Sequence, residues 1–299
     1  MEQIDMEKFK QERGKGARLF SRSNSSSVFR LKDGSFLKIY NKTMHFLCQI
    51  AGVNLEKKIT SLEKIEEVPE IIIPDTAIYD GSTFIGYTIP SAKGISMTEY
   101  DEKKTKDELL DLSLYAKEHS NLESVIKRAN QKGIVFPDLL TTDNLFITDN
   151  DGNISYNFID PDGIQFKQER DQGCIQMSTT MGSDFQYLIP KYSISRGIFN
   201  PNLDKKSLIL LYFISTFGVN LQVILDEINS YGDQKQLFNM IMNATGVFGQ
   251  LRELAEIALF DSKHDNHYLG SIVETIAENY NLSILTETSQ GTWRKLVRK

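Results

Sequence analysis

The segment of residues 136–166 contains two strand-like runs that are separated by the turn sequence DNDGN. Asp, Asn and Gly accept the backbone angles of tight turns, so this pattern predicts an antiparallel β-hairpin. In such a hairpin, the start of the first strand and the end of the second strand lie together. Asn144 and Asp160 occupy these two positions, and Asp138 lies a few residues upstream. The sequence therefore predicts that several side-chain oxygens meet at one end of the hairpin.

Oxygen ligands of this kind suit Mg²⁺, which takes few protein ligands and completes its shell with water and phosphate. A second interpretation is that the acidic residues only form turns and caps on a solvated hairpin. The hairpin alone does not decide between a metal site and ordinary turn chemistry.

The composition narrows the classes of protein to which the chain can belong. With 299 residues, 40% of them hydrophobic and 25% charged, it can bury a sizeable core, as globular proteins do. Its net charge of −6 gives no overall basic field, so neither nucleic acid nor a membrane surface is the expected partner. The longest apolar run, which begins at Leu208, is too short to span a membrane and predicts a buried helix.

The cysteine content and the amino terminus indicate the compartment. Cys48 and Cys174 are the two cysteines, and no CxxC pair occurs, which argues against a disulfide framework or a structural zinc site. The charged N-terminal segment lacks the apolar stretch of a signal peptide. We therefore expect a cytoplasmic protein with two ordinary buried thiols.

The chain divides into two parts of different character, which predicts an α+β fold. Residues 1–90 contain short strands and turns with one helix over residues 54–67, whereas residues 91–299 are mainly helical apart from the hairpin. The linker is expected at residues 90–94. In the second part, apolar residues at positions 122, 125, 126 and 129 have helical spacing, and Gly133 marks the end of that helix.

Five segments of residues 14–260 occur in an order that resembles the protein-kinase-like fold in a divergent, bacterial-type form. They are SRSNSSSVFRLKDGSFLKIY, NLEKKITSLEKI, GIVFPDLLTTDNLFI, NFIDPDG and LDKKSLILLYFISTFG. The resemblance implies a bilobal molecule, with a small β-rich N-lobe (residues 1–90) and a helical C-lobe (residues 91–299). It also implies ATP and Mg²⁺ as cofactors and a protein or small molecule as the phosphate acceptor.

The resemblance assigns roles to individual residues. Lys38 would hold the α- and β-phosphates of ATP and would be fixed by Glu56, which we prefer over Glu63. Asp138 would be the catalytic base, and Asn144 and Asp160 would bind the metal.

Further residues complete the implied nucleotide site. Ser25 and Ser26 would lie in the phosphate-binding turn, and Ser91 would contact the nucleotide from the linker. Asp204, at the start of a mostly apolar helix, would accept hydrogen bonds from the backbone of the catalytic loop near Phe136.

Several positions depart from the pattern of the family. Phe136 and Pro137 replace the His and Arg that precede the catalytic base, so control by phosphorylation of an activation loop is not expected. Phe36 occupies the place of the small residue above the adenine ring, where it either closes the pocket or shifts the base. Pro161 replaces the Phe of the metal-binding segment, and Asp162 could supply a second metal ligand.

These departures leave alternatives open. The first is a phosphotransferase that acts on a hydroxyl group, and the second is a pseudokinase that binds a nucleotide or a protein without catalysis. Transfer of AMP is a third possibility in this fold. The basic C-terminal sequence WRKLVRK is interpreted as the solvated end of a helix, in preference to a segment that binds a partner. As a geometric test of the site, we expect the Lys38 ammonium to face the Asp160 carboxylate.

Overall fold

The structure is a computed structural model in which a defined set of residues is described. These are residues 1–23, 25–50, 54–65, 68–103, 112–136, 139, 142–166, 194–195, 198–199, 202–217, 239, 243, 252–253, 278–288 and 291–298.

A six-stranded sheet organises the N-terminal part of the chain. Its strands are β1 (Glu2–Asp5), β2 (Arg18–Arg22), β3 (Ser26–Arg30), β4 (Phe36–Tyr40), β5 (Thr76–Asp80) and β6 (Thr83–Ile89). The strands lie in the order β1-β5-β6-β4-β3-β2, with β1 parallel to β5 and every other pair antiparallel. The other strands predicted for this part are confirmed. Residues 70–74 were also expected to form a strand, but they make only a single bridge, from Ile71 to Phe158.

Three helices accompany this sheet, namely α1 (Met6–Glu12), α2 (Lys42–Ile50) and α3 (Leu55–Ser61). The Asn54 side chain caps α3 by accepting a hydrogen bond from the Lys57 amide at 2.8 Å. The helix ends sooner than predicted and continues as a short 3-10 turn, Leu62–Lys64. The sequence reasoning missed α1 and α2.

The remaining described elements belong to the second part of the chain. They are β7 (Ile95–Ser96), α4 (Met97–Lys103), α5 (Leu112–Gln131), β8 (Ile134–Val135), β9 (Leu145–Asn150), β10 (Asn153–Phe158), β11 (Gln165–Phe166), β12 (Ile194–Ser195), β13 (Ile198–Phe199), α6 (Asn202–Phe217), β14 (Tyr280–Thr288) and β15 (Gly291–Arg298). Strands β10, β9 and β7 form one sheet, and β11 pairs with β8, β12 with β13 and β14 with β15.

The two long helices are those that the apolar patterns predict. The four spaced residues of α5, Leu122, Val125, Ile126 and Ala129, are all buried. Chain reversal follows at Gly133, whose φ of 77° is easily reached only by glycine. Helix α6 is buried at Leu208, Ile209, Leu211 and Tyr212, as expected for the longest apolar run. Cys48 is buried as predicted, and Cys174 lies outside the described residues.

The interpretation of the C-terminus as a helix end is wrong. Residues 291–298 form β15, an antiparallel partner of β14, with Leu296 opposite Leu282 and Arg294 opposite Ile284. The alternation of Tyr280, Leu282 and Ile284 with polar residues has the period of a strand. A basic cluster hid this signal, because charge alone does not distinguish a strand from a helix.

The described residues thus form a mixed α+β protein with a β-rich N-terminal sheet, as predicted. In the part of the chain that the structure describes, no helix is both long and apolar enough to cross a membrane.

Candidate functional site at the end of the central hairpin

The central hairpin has the predicted turn and register. Asn150 lies opposite Asn153, so the turn has two residues, Asp151 and Gly152, with φ of 54° and 82°. Two successive positive φ angles are typical of the type I′ turn, whose twist fits a tight hairpin. At the other end, the Ile159 amide donates to the carbonyl oxygen of Asn144 at 3.0 Å. This bond brings residues 144 and 160 to the same end of the hairpin, as the sequence predicts.

The segment Asp160–Gly163 is a tight turn that sends two carboxylates into different surroundings. Asp160 has the left-handed conformation (φ 61°, ψ 54°), and its carbonyl oxygen accepts a hydrogen bond from the Gly163 amide at 3.0 Å. The Asp160 side chain retains 24% of its exposure, whereas the Asp162 side chain is fully buried. The two acids are therefore not equivalent.

Lys38 of β4 lies against both carboxylates. Its Nζ is paired with Asp160 Oδ1 and lies 2.9 Å from Asp162 Oδ1. Because side chains alternate along a strand, Phe36, Lys38 and Tyr40 share one face of β4. This face is turned towards the end of the hairpin, and the expected contact between Lys38 and Asp160 is confirmed.

Three further side chains surround Asp162. The Tyr40 hydroxyl donates to Asp162 Oδ2 at 2.8 Å, and the Tyr87 hydroxyl donates to Oδ1 at 3.2 Å. Lys58 of α3 donates from Nζ to the backbone carbonyl oxygen of Asp162. Asp162 is therefore held through its side chain and its backbone at once. Whether Asp162 is a second metal ligand stays a prediction.

The pKa values of the two acids move in opposite directions. Burial and the neighbouring Asp162 carboxylate raise the pKa of Asp160 to about 7, although Lys38 opposes this shift. Burial also acts to raise the pKa of Asp162, but Lys38 and hydrogen bonding outweigh it and hold that pKa well below its usual range. Since two adjacent carboxylates do not ionise independently, Asp162 keeps the charge and Asp160 gains a proton more readily.

The two buried lysines also differ. Burial acts to lower the pKa of Lys38, but the carboxylates of Asp160 and Asp162 outweigh it and raise the pKa above its usual range. Burial lowers the pKa of Lys58 to about 8, because its main hydrogen-bond partner is a neutral carbonyl oxygen. Lys38 therefore keeps its charge to a higher pH than Lys58.

The predicted pairing of Glu56 with Lys38 is not found. Glu56 Oε1 accepts a hydrogen bond from the Tyr79 hydroxyl at 2.9 Å. The buried face of α3 is formed by Leu55, Lys58 and Ile59, and this helical spacing leaves Glu56 on the flank, beside β5. Helix α3 is oriented so that Lys58, and not Glu56, reaches the acidic turn of residues 160–163.

The serine turn between β2 and β3 is occupied by its own hydrogen bonds. Ser23 Oγ accepts from the amides of Ser25 and Ser26, at 3.2 and 3.1 Å. A phosphate group would have to displace this hydroxyl before it could accept from the same amides. Ser91, the predicted contact in the linker, donates from its hydroxyl to the Ala92 carbonyl oxygen at 3.3 Å.

Phe36 packs against another aromatic side chain. The rings of Phe36 and Phe20 lie 5.1 Å apart in an edge-to-face arrangement, and Phe20 is 64% exposed. Because Phe36 lies on the same face of β4 as Lys38, the space above an adenine ring would be bounded by aromatic surface where the family has a small residue.

Asp204 accepts from the Phe136 amide, as the resemblance implies, and also from Asn130, which was not predicted. Its Oδ1 accepts from the Phe136 amide at 2.9 Å, its Oδ2 accepts from Asn130 Nδ2 at 2.7 Å, and its side chain is fully buried. Burial raises the pKa of Asp204 to about 7, although the two hydrogen bonds act to lower it. Asp138, the predicted base, lies outside the described residues, as does Pro137.

A small cavity of about 20 Å³ lies at the end of the hairpin and can hold about one water molecule. Asn144 and Asp160 are the two polar side chains that line it, and the other lining residues are apolar or glycine. Among the described residues, no three His, Cys, Asp or Glu side chains form a cluster that could hold a metal. One carboxylate and one amide oxygen are nevertheless ligand types that Mg²⁺ accepts.

Sequence reasoning missed Lys58, Tyr40 and Tyr87 as part of this site. The sequence contains a pattern that could have indicated Lys58. This residue lies three positions after Leu55 and one before Ile59, within the apolar face of α3. Tyr40 had a signal as well, since it shares the strand face of Lys38. Tyr87 had none, because its contact depends on the pairing of β6 with β4.

Comparisons with known proteins assign no role to these residues. The sequence matches no family profile and no curated protein.

Proposed function

We propose that the protein is an ATP- and Mg²⁺-dependent phosphotransferase of the protein-kinase-like type, with the sheet of residues 1–90 as its N-lobe. The observation that carries this proposal is the contact of Lys38, on the N-terminal sheet, with Asp160, at the end of the hairpin. A cation and an acid from distant parts of the chain meet where a nucleotide would have its phosphates. The anchoring of the Phe136 amide by Asp204 supports the same arrangement.

The proposed chemistry depends on positioning and on charge neutralisation. Lys38 holds the α- and β-phosphates, and Asn144 and Asp160 would bind Mg²⁺, which when bound neutralises charge on the phosphates. Asp138 orients the acceptor hydroxyl and takes its proton as the new O–P bond forms. The bond between the γ-phosphorus and the bridging oxygen then breaks, and ADP leaves with that oxygen. The acceptor is a hydroxyl group of a protein or a small molecule.

A scaffold that binds a protein or a nucleotide without catalysis is the second candidate function. Two observations favour it, namely the amides of Ser25 and Ser26 that are already paired with Ser23 and the aromatic pair of Phe20 and Phe36. Both would restrict how the phosphates and the base approach the sheet.

Two substitutions separate these functions. Asp160→Asn is expected to weaken the Mg²⁺-dependent stabilisation by ATP, because a metal ligand acts in the ground state. Asp138→Asn is expected to leave ATP binding nearly unchanged and to abolish turnover, because a base acts mainly in the transition state. The measurements are thermal shift with ATP, with and without Mg²⁺, and release of ADP. Asp149→Asn, at the opposite end of the hairpin, is the matched control.

At about one hundred times the dissociation constant, ATP should stabilise the wild-type protein by about 2.7 kcal/mol. Stabilisation without ADP release, unchanged by Asp138→Asn, would support the scaffold. No stabilisation at millimolar ATP would contradict the phosphotransferase and would leave a protein-binding scaffold as the candidate function. Release of pyrophosphate in place of ADP would indicate AMP transfer.

A further inference from the structure

Lys38 has two carboxylate partners that differ in what else they can bind. Asp160 is 24% exposed and lines the cavity shared with Asn144, whereas Asp162 is fully buried. We infer that Asp162 is the positioning residue that fixes Lys38, in the role that the resemblance gave to a glutamate of α3. This inference rests on the proposed function, since it names the residue that orients the phosphate-binding lysine.

The contacts of Asp162 make it a fixed anchor. Its two carboxylate oxygens accept from Lys38 and Tyr87 on one side and from Tyr40 on the other. If this carboxylate turned towards another ligand, the buried hydroxyl groups of Tyr40 and Tyr87 would lose it as their acceptor. An unpaired buried donor is costly, so the carboxylate keeps its orientation.

The backbone of Asp162 is fixed independently of its side chain. Lys58 Nζ donates to the Asp162 carbonyl oxygen, and the neighbouring residues Pro161 and Gly163 are buried. Because Lys58 belongs to α3, this contact links the position of α3 to the acidic turn. Helix α3 therefore acts on Lys38 through the Asp162 backbone, and not through a carboxylate of its own.

Asp160 and Asp162 divide two tasks between them. When Asp160 turns to other ligands, Lys38 loses one partner and keeps the other, so its ammonium remains oriented by Asp162. The DPDG sequence supplies both carboxylates from one turn.

The decisive experiment measures the protonation of Lys38 by NMR, with ¹³C- and ¹⁵N-labelled lysine, and assigns its signal by its loss in Lys38→Arg. Asp162→Asn is expected to lower the pKa of Lys38 by about 1–3 units, the shift that an adjacent charge produces. Glu56→Gln is the matched control and should leave the titration unchanged, because Glu56 is paired with Tyr79. A shift in Glu56→Gln with none in Asp162→Asn would overturn the inference.

A second measurement uses the wild-type chain, in case Asp162→Asn does not fold. The Tyr40 and Tyr87 hydroxyl protons should exchange slowly with solvent, because each donates to the buried Asp162 carboxylate. Fast exchange of both hydroxyl protons would overturn the inference, because Asp162 would then not keep the orientation that positions Lys38.

Nucleotide binding separates this inference from the proposed function. If ATP binds, Asp162→Asn should weaken its affinity by about tenfold or more, the effect of a lost charge-assisted contact, while Glu56→Gln should not. If ATP binds no variant and not the wild type, the proposed function fails, and the Lys38 titration still decides whether Asp162 is its anchor.

Discussion

Asp204 shows how one buried side chain holds a loop and a helix together. Its carboxylate accepts from the Phe136 amide, just before the predicted catalytic loop, and from Asn130 near the end of α5. Asp204 itself lies in the first turn of α6. Three separate segments are therefore joined through two oxygen atoms.

Asp204→Ala is expected to destabilise the protein. The substitution leaves the buried Phe136 amide without an acceptor, at a cost of about 1–3 kcal/mol. Asn130 loses one of its two acceptors and keeps the Ile134 carbonyl oxygen. Urea denaturation measures the loss. Asp149→Ala is the control, since Asp149 also accepts a backbone amide, from Gly152 at 2.7 Å, but in an exposed turn. Equal losses for both variants would contradict the role of Asp204.

The difference in stability between the wild type and Asp204→Asn should change with pH in a defined direction. The pKa of Asp204 is raised to about 7 in the folded protein from its usual value of 3.8. The folded state thus binds more protons than the unfolded state between these values, and the contribution of Asp204 falls as pH rises. The stability of the wild type relative to Asp204→Asn should therefore be greatest below about pH 4, decline up to about pH 7 and stay level above it.

At the scale of elements, the close approach of β4 and β6 places Lys38. Gly86 of β6 lies opposite Ile39, and a Cβ atom at position 86 would overlap the Lys38 carbonyl oxygen and lie 3.1 Å from Ile39 Cα. The strands are thus as close as a residue without a side chain permits. Tyr87, the next residue of β6, reaches Asp162 from this position.

Gly86→Ala is expected to separate the two strands at Lys38 and to cost about 1–3 kcal/mol, as overpacking does. It should also move the Lys38 side-chain signal in the NMR spectrum. Gly34→Ala is the control, because that position has open space around it and only a positive φ of 89° to oppose a side chain. If Gly34→Ala moved the Lys38 signal as much as Gly86→Ala, the strand contact would not be what places Lys38.

At the scale of the whole molecule, the N-terminal part of the chain and the hairpin are joined by backbone hydrogen bonds as well as by Lys38. The Phe158 amide donates to the Glu70 carbonyl oxygen at 2.7 Å, and the Ile72 amide donates to the Phe158 carbonyl oxygen at 3.0 Å. Arg128 of α5 pairs with the Glu70 side chain. These contacts connect residues that precede β5 with the last residue of β10.

We expect the Ile72 and Phe158 amides to exchange with solvent only when the core opens. Their protection should match that of buried amides in β6, because breaking the junction also exposes the Lys38 and Lys58 contacts. Native-state hydrogen exchange by NMR provides the measurement. Fast exchange at both amides, with slow exchange within β6, would show that the junction opens separately.

Local patterns in the sequence determined the features that depend on neighbouring residues. The DNDGN turn fixed the register of the hairpin, and with it the meeting of Asn144 and Asp160, because Asp and Gly accept successive positive φ angles. Strand alternation set the face of Lys38, and helical spacing set the buried face of α5. The helix start at Asp204 was also local, although its acceptance of the Phe136 amide was predicted from a resemblance.

Tertiary structure alone decided which groups meet across long separations. Asp162 became the buried partner of Lys38, and Glu56 did not, because the packing of α3 turned Lys58 towards the acidic turn. Tyr87 reached Asp162 because β6 pairs with β4. Periodicity tells which face of an element is buried, but not which element covers it. The partners of a buried charge are therefore set by packing and by the cost of leaving polar groups unpaired.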